Sequence, residues 1–210
     1  MTSSEAILRL RALLNQYGIT DGYYTDPVLY KYLDSAQLEV ISGVKAKQEF
    51  IKKVDKTYES PVLNSLLKSE ESLIGLGASE ITLPSDFLYH HSLLLNKGGK
   101  AAYTIGTEIP YEKLLRNQGN YFQKSSEDHI KYSVIARKII LPIVAGSSDG
   151  YRINYYKIPE TVSSSVNFSI YDESHNAIIQ FALSFALQQD QRTQESLAVR
   201  SAAINLIFDL

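Results

Sequence analysis

Cysteine is absent from this chain of 210 residues, and so is tryptophan. Without cysteine there can be no disulfide, no zinc site with thiolate ligands, no iron–sulfur cluster and no cysteine nucleophile. The lack excludes chemistry without naming a compartment, because a cysteine-free chain suits any redox environment. Long apolar runs are missing too: no stretch approaches the ~20 apolar residues of a membrane span. The opening "MTSSEAILRLRALLNQYG" lacks the apolar core of a signal peptide, since Arg9 and Arg11 interrupt it. The expectation is a protein made in a cytoplasm, with no membrane partner. An excess of one charge is also missing. Lys plus Arg number 21 against 23 Asp plus Glu, a net charge of −2. A strongly basic surface for gripping nucleic acid is therefore not written into the balance, although a local patch stays open.

What is present reads as an ordinary globular chain, 44% hydrophobic, with 15 Tyr and 7 Phe. One domain of this size buries roughly 70–75% of its unfolded surface and needs no staples. Thr2-x-x-Glu5 is a capping box, Ile7, Leu10 and Leu14 share a helical face, and Gly18 stops the helix. Asp26-Pro27 opens a second helix, and the stripe Leu29, Leu33, Ala36, Val40, Val44 carries it from about 27 to about 57, with Gly43 inside. The period then falls to two. "SEITLPSDFLYHHSLLLN" gives two short strands about a turn at Pro84-Ser85-Asp86, and "NKGGK" is another turn, with a strand after it over 101–105. "PYEKLLRNQGN" is a short helix. Ile130, Tyr132, Val134, the apolar run 139–144, and Tyr151, Ile153, Tyr155 read as further strands. From Asp172 to Leu210 there is neither Gly nor Pro, and the polar break at 188–195 divides a helical hairpin. The expected class is α+β: one domain, 1–210, with a helical bundle from about 1–75 and 172–210 and an inserted, mostly antiparallel sheet at about 79–160.

Gly146-Ser147-Ser148-Asp149-Gly150 spells G-x-S-x-G, the pattern of a serine hydrolase nucleophile elbow. An elbow needs a strand before the serine and a helix after it. Here "YRINYYKIP" comes next, alternates at period two and ends at proline, so the five residues read as a hairpin loop and Ser148 as a turn residue. The one downstream histidine, His175, opens a predicted helix. His90 and His91 are adjacent, so in a strand they face opposite ways and cannot share a metal. His129 is isolated, Gly75-x-Gly77 lacks the third glycine of a dinucleotide loop, and Glu70-Glu71 and Glu127-Asp128 read as solvated surface. No catalytic residue, cofactor site or metal site is assigned. Lys45, Lys47, Lys52, Lys53 and Lys56, against Glu49 and Asp55, sit where cations complement the end of the long helix, with a phosphate or acidic partner as the alternative.

Several phrases, taken in order, resemble the head-to-tail adaptor (connector, or ring) proteins of tailed bacteriophages. They are "TDPVLYKYLDSAQLEV", "ITLPSDFL", "YSVIARKIILPIVAGSSDGYRINYYKIPE", and "HNAIIQFALSFALQQD" after the acidic "IYDE". The resemblance covers most of the chain, but "ARK" at 136–138 lacks an expected glycine, "AGSSDG" is longer than a minimal hairpin, and 61–77 matches nothing in the pattern. The resemblance suggests a short-tailed, crAss-like source, although no residue proves that lineage. The resemblance implies a structural virion protein of the neck, between capsid and tail. Identical subunits would form a ring, typically dodecameric, under the portal protein, extend the DNA channel and dock tail or further neck proteins. DNA would pass without sequence-specific binding.

On that reading the apolar end "INLIFDL" supplies the candidate portal or subunit interface: Ile204, Leu206, Ile207, Phe208 and Leu210. Tyr151, Tyr155 and Tyr156 are candidates for ring or tail contacts, and Lys52, Lys53 and Lys56 for facing the channel. The rivals are another neck or tail-completion protein, a serine hydrolase, and a host-side binding module.

Overall fold

A computed structural model describes the chain apart from residues 98–102, 121–124, 127–128, 143–144 and 147–148. In chain order the elements are α1 (Ser3–Gln16), α2 (Asp26–Ile51), α3 (Pro61–Asn64), β1 (Leu67–Leu73), β2 (Glu80–Thr82) and β3 (Phe87–Asn96). Next come β4 (Thr104–Ile105), β5 (Thr107–Glu108), α4 (Tyr111–Gln118), β6 (Lys131–Ile135), β7 (Lys138–Ile140) and β8 (Gly150–Lys157). A 3-10 turn, Asp172–Ser174, leads into α5 (His175–Gln189) and α6 (Thr193–Asp209). Helices flank a mostly antiparallel β region, as the α+β expectation has it. The chain divides into two compact units: Met1–Leu66 with Pro159–Leu210, and Leu67–Ile158.

The helical unit is built around α5, which carries no charged residue after its first turn and buries side chains on every side, from Ala177 and Ile178 through Phe181 to Leu187. A helix apolar all round must be surrounded, and α1, α2 and α6 pack on it. The capping box that starts α1 is complete: Thr2 Oγ1 accepts the Glu5 N–H at 3.2 Å, and Glu5 Oε2 accepts the Thr2 N–H at 2.7 Å. Helix α2 buries the expected Leu29, Leu33, Ala36, Val40 and Val44. It also places polar side chains inward, and these hold passing loops. Asp34 Oδ1 accepts the Val162 N–H at 2.6 Å, and Gln48 takes the Ser60 N–H at 2.7 Å while its own amide donates to Glu59 Oε2 at 3.1 Å.

The expected long helix ends at Ile51 and not near 57. The Asp55 carboxylate accepts from the Thr57 N–H (2.9 Å) and the Thr57 hydroxyl (2.6 Å). A side chain that bonds its own backbone two residues on offers the chain an alternative to the helical ladder.

In the β unit, two four-stranded sheets have the orders β1-β8-β3-β4 and β2-β7-β6-β5, and β5 on β6 is the one parallel pairing among the described residues. The chain passes from one sheet to the other at Gly106. Its N–H donates to the Leu93 carbonyl at 2.8 Å, and a Cβ there would lie 2.8 and 2.9 Å from the Tyr132 ring. The core between the sheets holds Leu93, Leu95, Ile130, Tyr132, Ile139, Ile153 and Tyr155. The turn without glycine, Ala136-Arg137, joins β6 to β7 with both residues at positive φ, 47° and 61°. This is the backbone of a type I′ hairpin, whose twist suits the flanking strands.

Two expectations about this region are corrected. The sheet begins at Leu67 and not near 79, because Leu67–Leu73 pairs with β8 along its whole length. The loop 146–150 does not close a hairpin: β7 pairs with β2 and β6, while β8 pairs with β1 and β3 in the other sheet. The loop is a crossing between sheets. Asp149 still caps it, accepting the Gly146 N–H at 2.8 Å while it meets Lys97 Nζ at 2.8 Å.

Candidate functional site

An exposed apolar groove in the helical unit runs between α2 and α6. On α2 the facing residues Ser42, Gly43 and Ala46 are small, and Phe50 lies one turn later. On α6 the facing residues are Arg200, Ile204, Ile207 and Phe208. At Gly43 a Cβ would lie 2.7 Å from Ile207 Cδ1, so the missing side chain is what admits Ile207 against α2. The result is an open groove of about 720 Å³ with Phe181 also in its lining. Its walls are left to water: Phe50 is 70% exposed, Phe208 65% and Ile204 42%. Large exposed apolar patches mark contact sites.

The charges at the groove are arranged. Arg200 meets Glu39 at 2.7 Å and lies over the Phe181 ring at 5.7 Å. Lys47 Nζ donates to the Phe208 carbonyl at 2.8 Å, a cation on the C-terminal turn of α6. Lys53 Nζ lies 5.9 Å from the Phe50 ring centroid. Arg200 and Lys47 are thus basic groups in the lining of the slot, with the Glu39 carboxylate beside Arg200.

The sequence candidates do not form one surface. Ile204 and Phe208 form a wall of the groove and Ile207, which is buried, its floor. Leu206 faces elsewhere, beside Arg9, Leu13 and Ile179 on α1 and α5, and Leu210 is half-buried at the helix end. Helical geometry turns consecutive positions to different sides, which is why the five residues separate. Tyr155 and Tyr156 are interior residues, at 0% and 2% exposure, which corrects their assignment to ring or tail contacts. Tyr151 is half-buried against the sheet core. Lys52 is ion-paired with Glu59, both groups about a third exposed, whereas Lys53 and Lys56 are exposed in the turns after α2.

Two polar constellations have no signal in the sequence, because tertiary pairing brings their members together. In one, His90 Nδ1 lies 2.9 Å from Glu108 Oε2 and its Nε2 lies 3.1 Å from the Tyr132 hydroxyl. His91, as expected, turns away and meets the Tyr156 ring. In the other, Lys68 Nζ bridges Glu70 (2.9 Å) and Asp86 (3.0 Å), while the Tyr155 hydroxyl lies 2.9 Å from Glu70 Oε1 and 2.8 Å from Asp86 Oδ1. Burial pushes both phenols, Tyr132 and Tyr155, well above the ordinary tyrosine range, so each stays protonated, and the Tyr155 hydroxyl donates to the carboxylates beside it. In the helical unit burial pushes the Tyr24 hydroxyl up to about 12, and it donates to the Ala186 carbonyl at 2.9 Å. These tyrosines fasten the interior.

Among the described residues, no three His, Asp or Glu side chains are placed to hold a metal ion, and no helix is long and apolar enough to cross a membrane. Ser148, and with it the G-x-S-x-G reading, lies outside the described residues, as do Glu127-Asp128, the "GGK" turn at 98–100 and the start of the strand expected at 101–105. The motif leads into the strand β8, where an elbow has a helix. Burial lowers the His175 pKa, and the ring is held by the Ile170 carbonyl at 3.3 Å at the start of α5. No family model and no curated protein sequence matches this chain.

Proposed function

We propose that this chain is a structural virion protein, a head-to-tail adaptor that forms a ring under the portal of a tailed bacteriophage, in the neck between capsid and tail. It acts by shape and contact and not by catalysis. The observation that carries the reading is the α2–α6 groove, an exposed aromatic slot on a helical unit, of the kind that takes an amphipathic segment of a partner. The order of helices, sheet and helices, together with the phrases quoted from the sequence, supports the adaptor over a general docking module. Phe50, Ile204 and Phe208 are the residues that meet the portal protein. Lys53 and Lys56 are those left to face the DNA channel, since Lys52 is engaged by Glu59. A ring closes through a heterologous contact, so each subunit needs two different complementary patches.

The test mixes the purified chain with the portal protein of the same genome and follows mass and negative-stain images. The expected product is a ring added beneath the portal, lost when Phe50 and Phe208 are both changed to Glu. Binding to tail tube instead of portal would move the protein to a tail-completion role. A folded chain that associates with neither would overturn the reading.

A further inference from the structure

Strand β1 pairs with β8 from Leu67 to Leu73 without a register shift, and no described strand pairs its other side. The direction of its free backbone groups is set by one bond. The Ile74 N–H donates to the Asp149 carbonyl at 2.8 Å, in the same register as the strand pair. Alternation along an antiparallel strand then sends the N–H and C=O of Leu67, Ser69, Glu71 and Leu73 off the open edge. Edge strands are ordinarily blunted by shortness, proline, a bulge or charged side chains. β1 has seven residues, no proline and no bulge. Its charges are already answered within the sheet, Lys68 by Glu70 and Asp86, Glu71 by Arg152 at 2.8 Å.

The strand reads Leu-Lys-Ser-Glu-Glu-Ser-Leu and carries a leucine three positions to either side of Glu70. We propose that β1 pairs with β1 of a second copy of this chain, antiparallel about a two-fold axis at Glu70, so that the two β1-edged sheets run on as one. In that register Leu67 lies opposite Leu73 of the second copy and Ser69 opposite Glu71, all with backbone groups that point off the edge. The side chains of Leu67 and Leu73 share the face away from the core, are 44% and 73% exposed, and cover each other at both ends of the pairing. Glu70 meets Glu70 at the axis, and each is flanked by its own Lys68 and, on the diagonal, by Lys68 of the other copy. Shifting the register by two residues loses both leucine pairs. The contact is isologous and closes at two copies, so it is separate from the heterologous contact of a ring and does not rest on the adaptor reading.

The experiment is sedimentation equilibrium of the full chain alone, with no portal protein present, over a wide concentration range. Ser69→Pro removes an N–H from the open edge at a position where proline leaves the β8 pairing untouched. Leu73→Lys places a charge on the covered face and guards against misfolding of the first variant. The expected result is a monomer–dimer equilibrium that each substitution weakens roughly tenfold or more, with thermal unfolding of the monomer unchanged. A chain that stays monomeric up to millimolar concentration, or a dimer that neither substitution moves, would overturn the proposal.

Discussion

The two units of this protein use polar residues in opposite ways. In the helical unit, polar side chains on α2 reach inward to hold loops: Asp34 the Val162 N–H, Gln48 the Ser60 N–H. Its apolar surplus is left outside, at Phe50, Ile204 and Phe208. In the β unit the large aromatics are inside, and their hydroxyls meet charged or ring partners at the edge of the core, Tyr155 at Glu70 and Asp86, Tyr132 at His90. A buried phenol without such a partner would give back roughly 1–3 kcal/mol of what the ring contributes by burial. The helical unit thus leaves aromatic area open in a groove between two helices, whereas the β unit keeps Tyr132 and Tyr155 inside and leaves apolar side chains such as Leu67 and Leu73 at its edge strand.

That contrast is sharpest at two glycines. Gly106→Ala drives a methyl group into the Tyr132 ring at 2.8 Å, with the Leu93 carbonyl at 3.4 Å behind it. A buried ring cannot swing aside, so the substitution should cost about 1–3 kcal/mol. Gly43→Ala meets only the Cδ1 end of Ile207 beside an open groove, and alanine is better than glycine in a helix by about 1 kcal/mol. Its net effect should be within about 1 kcal/mol of zero. Urea unfolding of both variants checks the pair, and equal losses would remove the distinction between the units.

Acid should act on two carboxylates, Asp34 in the helical unit and Asp86 in the β unit, with opposite signs. Burial raises the Asp34 pKa above 3.8, so its ionised form opposes folding at neutral pH and the opposition fades as pH falls through the raised value. For Asp86, burial pushes upward, but hydrogen bonds from Lys68 and Tyr155 outweigh it and leave the pKa below 3.8. Its contribution is complete above 3.8 and is lost as pH falls through the lowered value. Asp86→Asn should therefore cost roughly 1 kcal/mol at pH 7 after screening by solvent, and less at pH 3. Asp34→Asn should cost little at pH 7 and remove the gain on mild acidification. Unfolding midpoints at pH 7, 5 and 3 measure both.

The smallest expected effect is at the β6–β7 turn. Ala136 sits at φ 47°, where glycine is favoured. Ala136→Gly should change stability by no more than about 0.5 kcal/mol in either direction, because relief of strain is offset by a more flexible unfolded chain. A loss above about 1 kcal/mol, read from the thermal midpoint, would show that the methyl group has a packing role.

The same contrast explains how much of the structure is legible in the sequence. The helices are legible because α1, α2, α5 and α6 repeat apolar residues every three or four positions, and Gly18 and the polar stretch around Gln191 mark two of the breaks, whereas the end of α2 at Ile51 carries no such mark. β1 is not, since Lys-Ser-Glu-Glu-Ser shows no apolar alternation at an edge. The partners of β7 and β8 escape a local reading because turn chemistry does not say which sheet a strand will join. Period-two alternation puts the adjacent Tyr155 and Tyr156 on opposite faces of β8, so one wet face would leave one of them at a surface, whereas both sides of β8 are covered at that point. The groove is half legible: Ile204 and Phe208 stand out in an apolar terminus, but the part of Gly43 depends on α6 lying against it.

The most direct test of the central claim is hydrogen exchange of the chain with and without the portal protein. The account predicts added protection at 42–51 on α2 and 200–208 on α6 when the portal binds. Binding with protection confined to the β unit, or none at the groove, would contradict it.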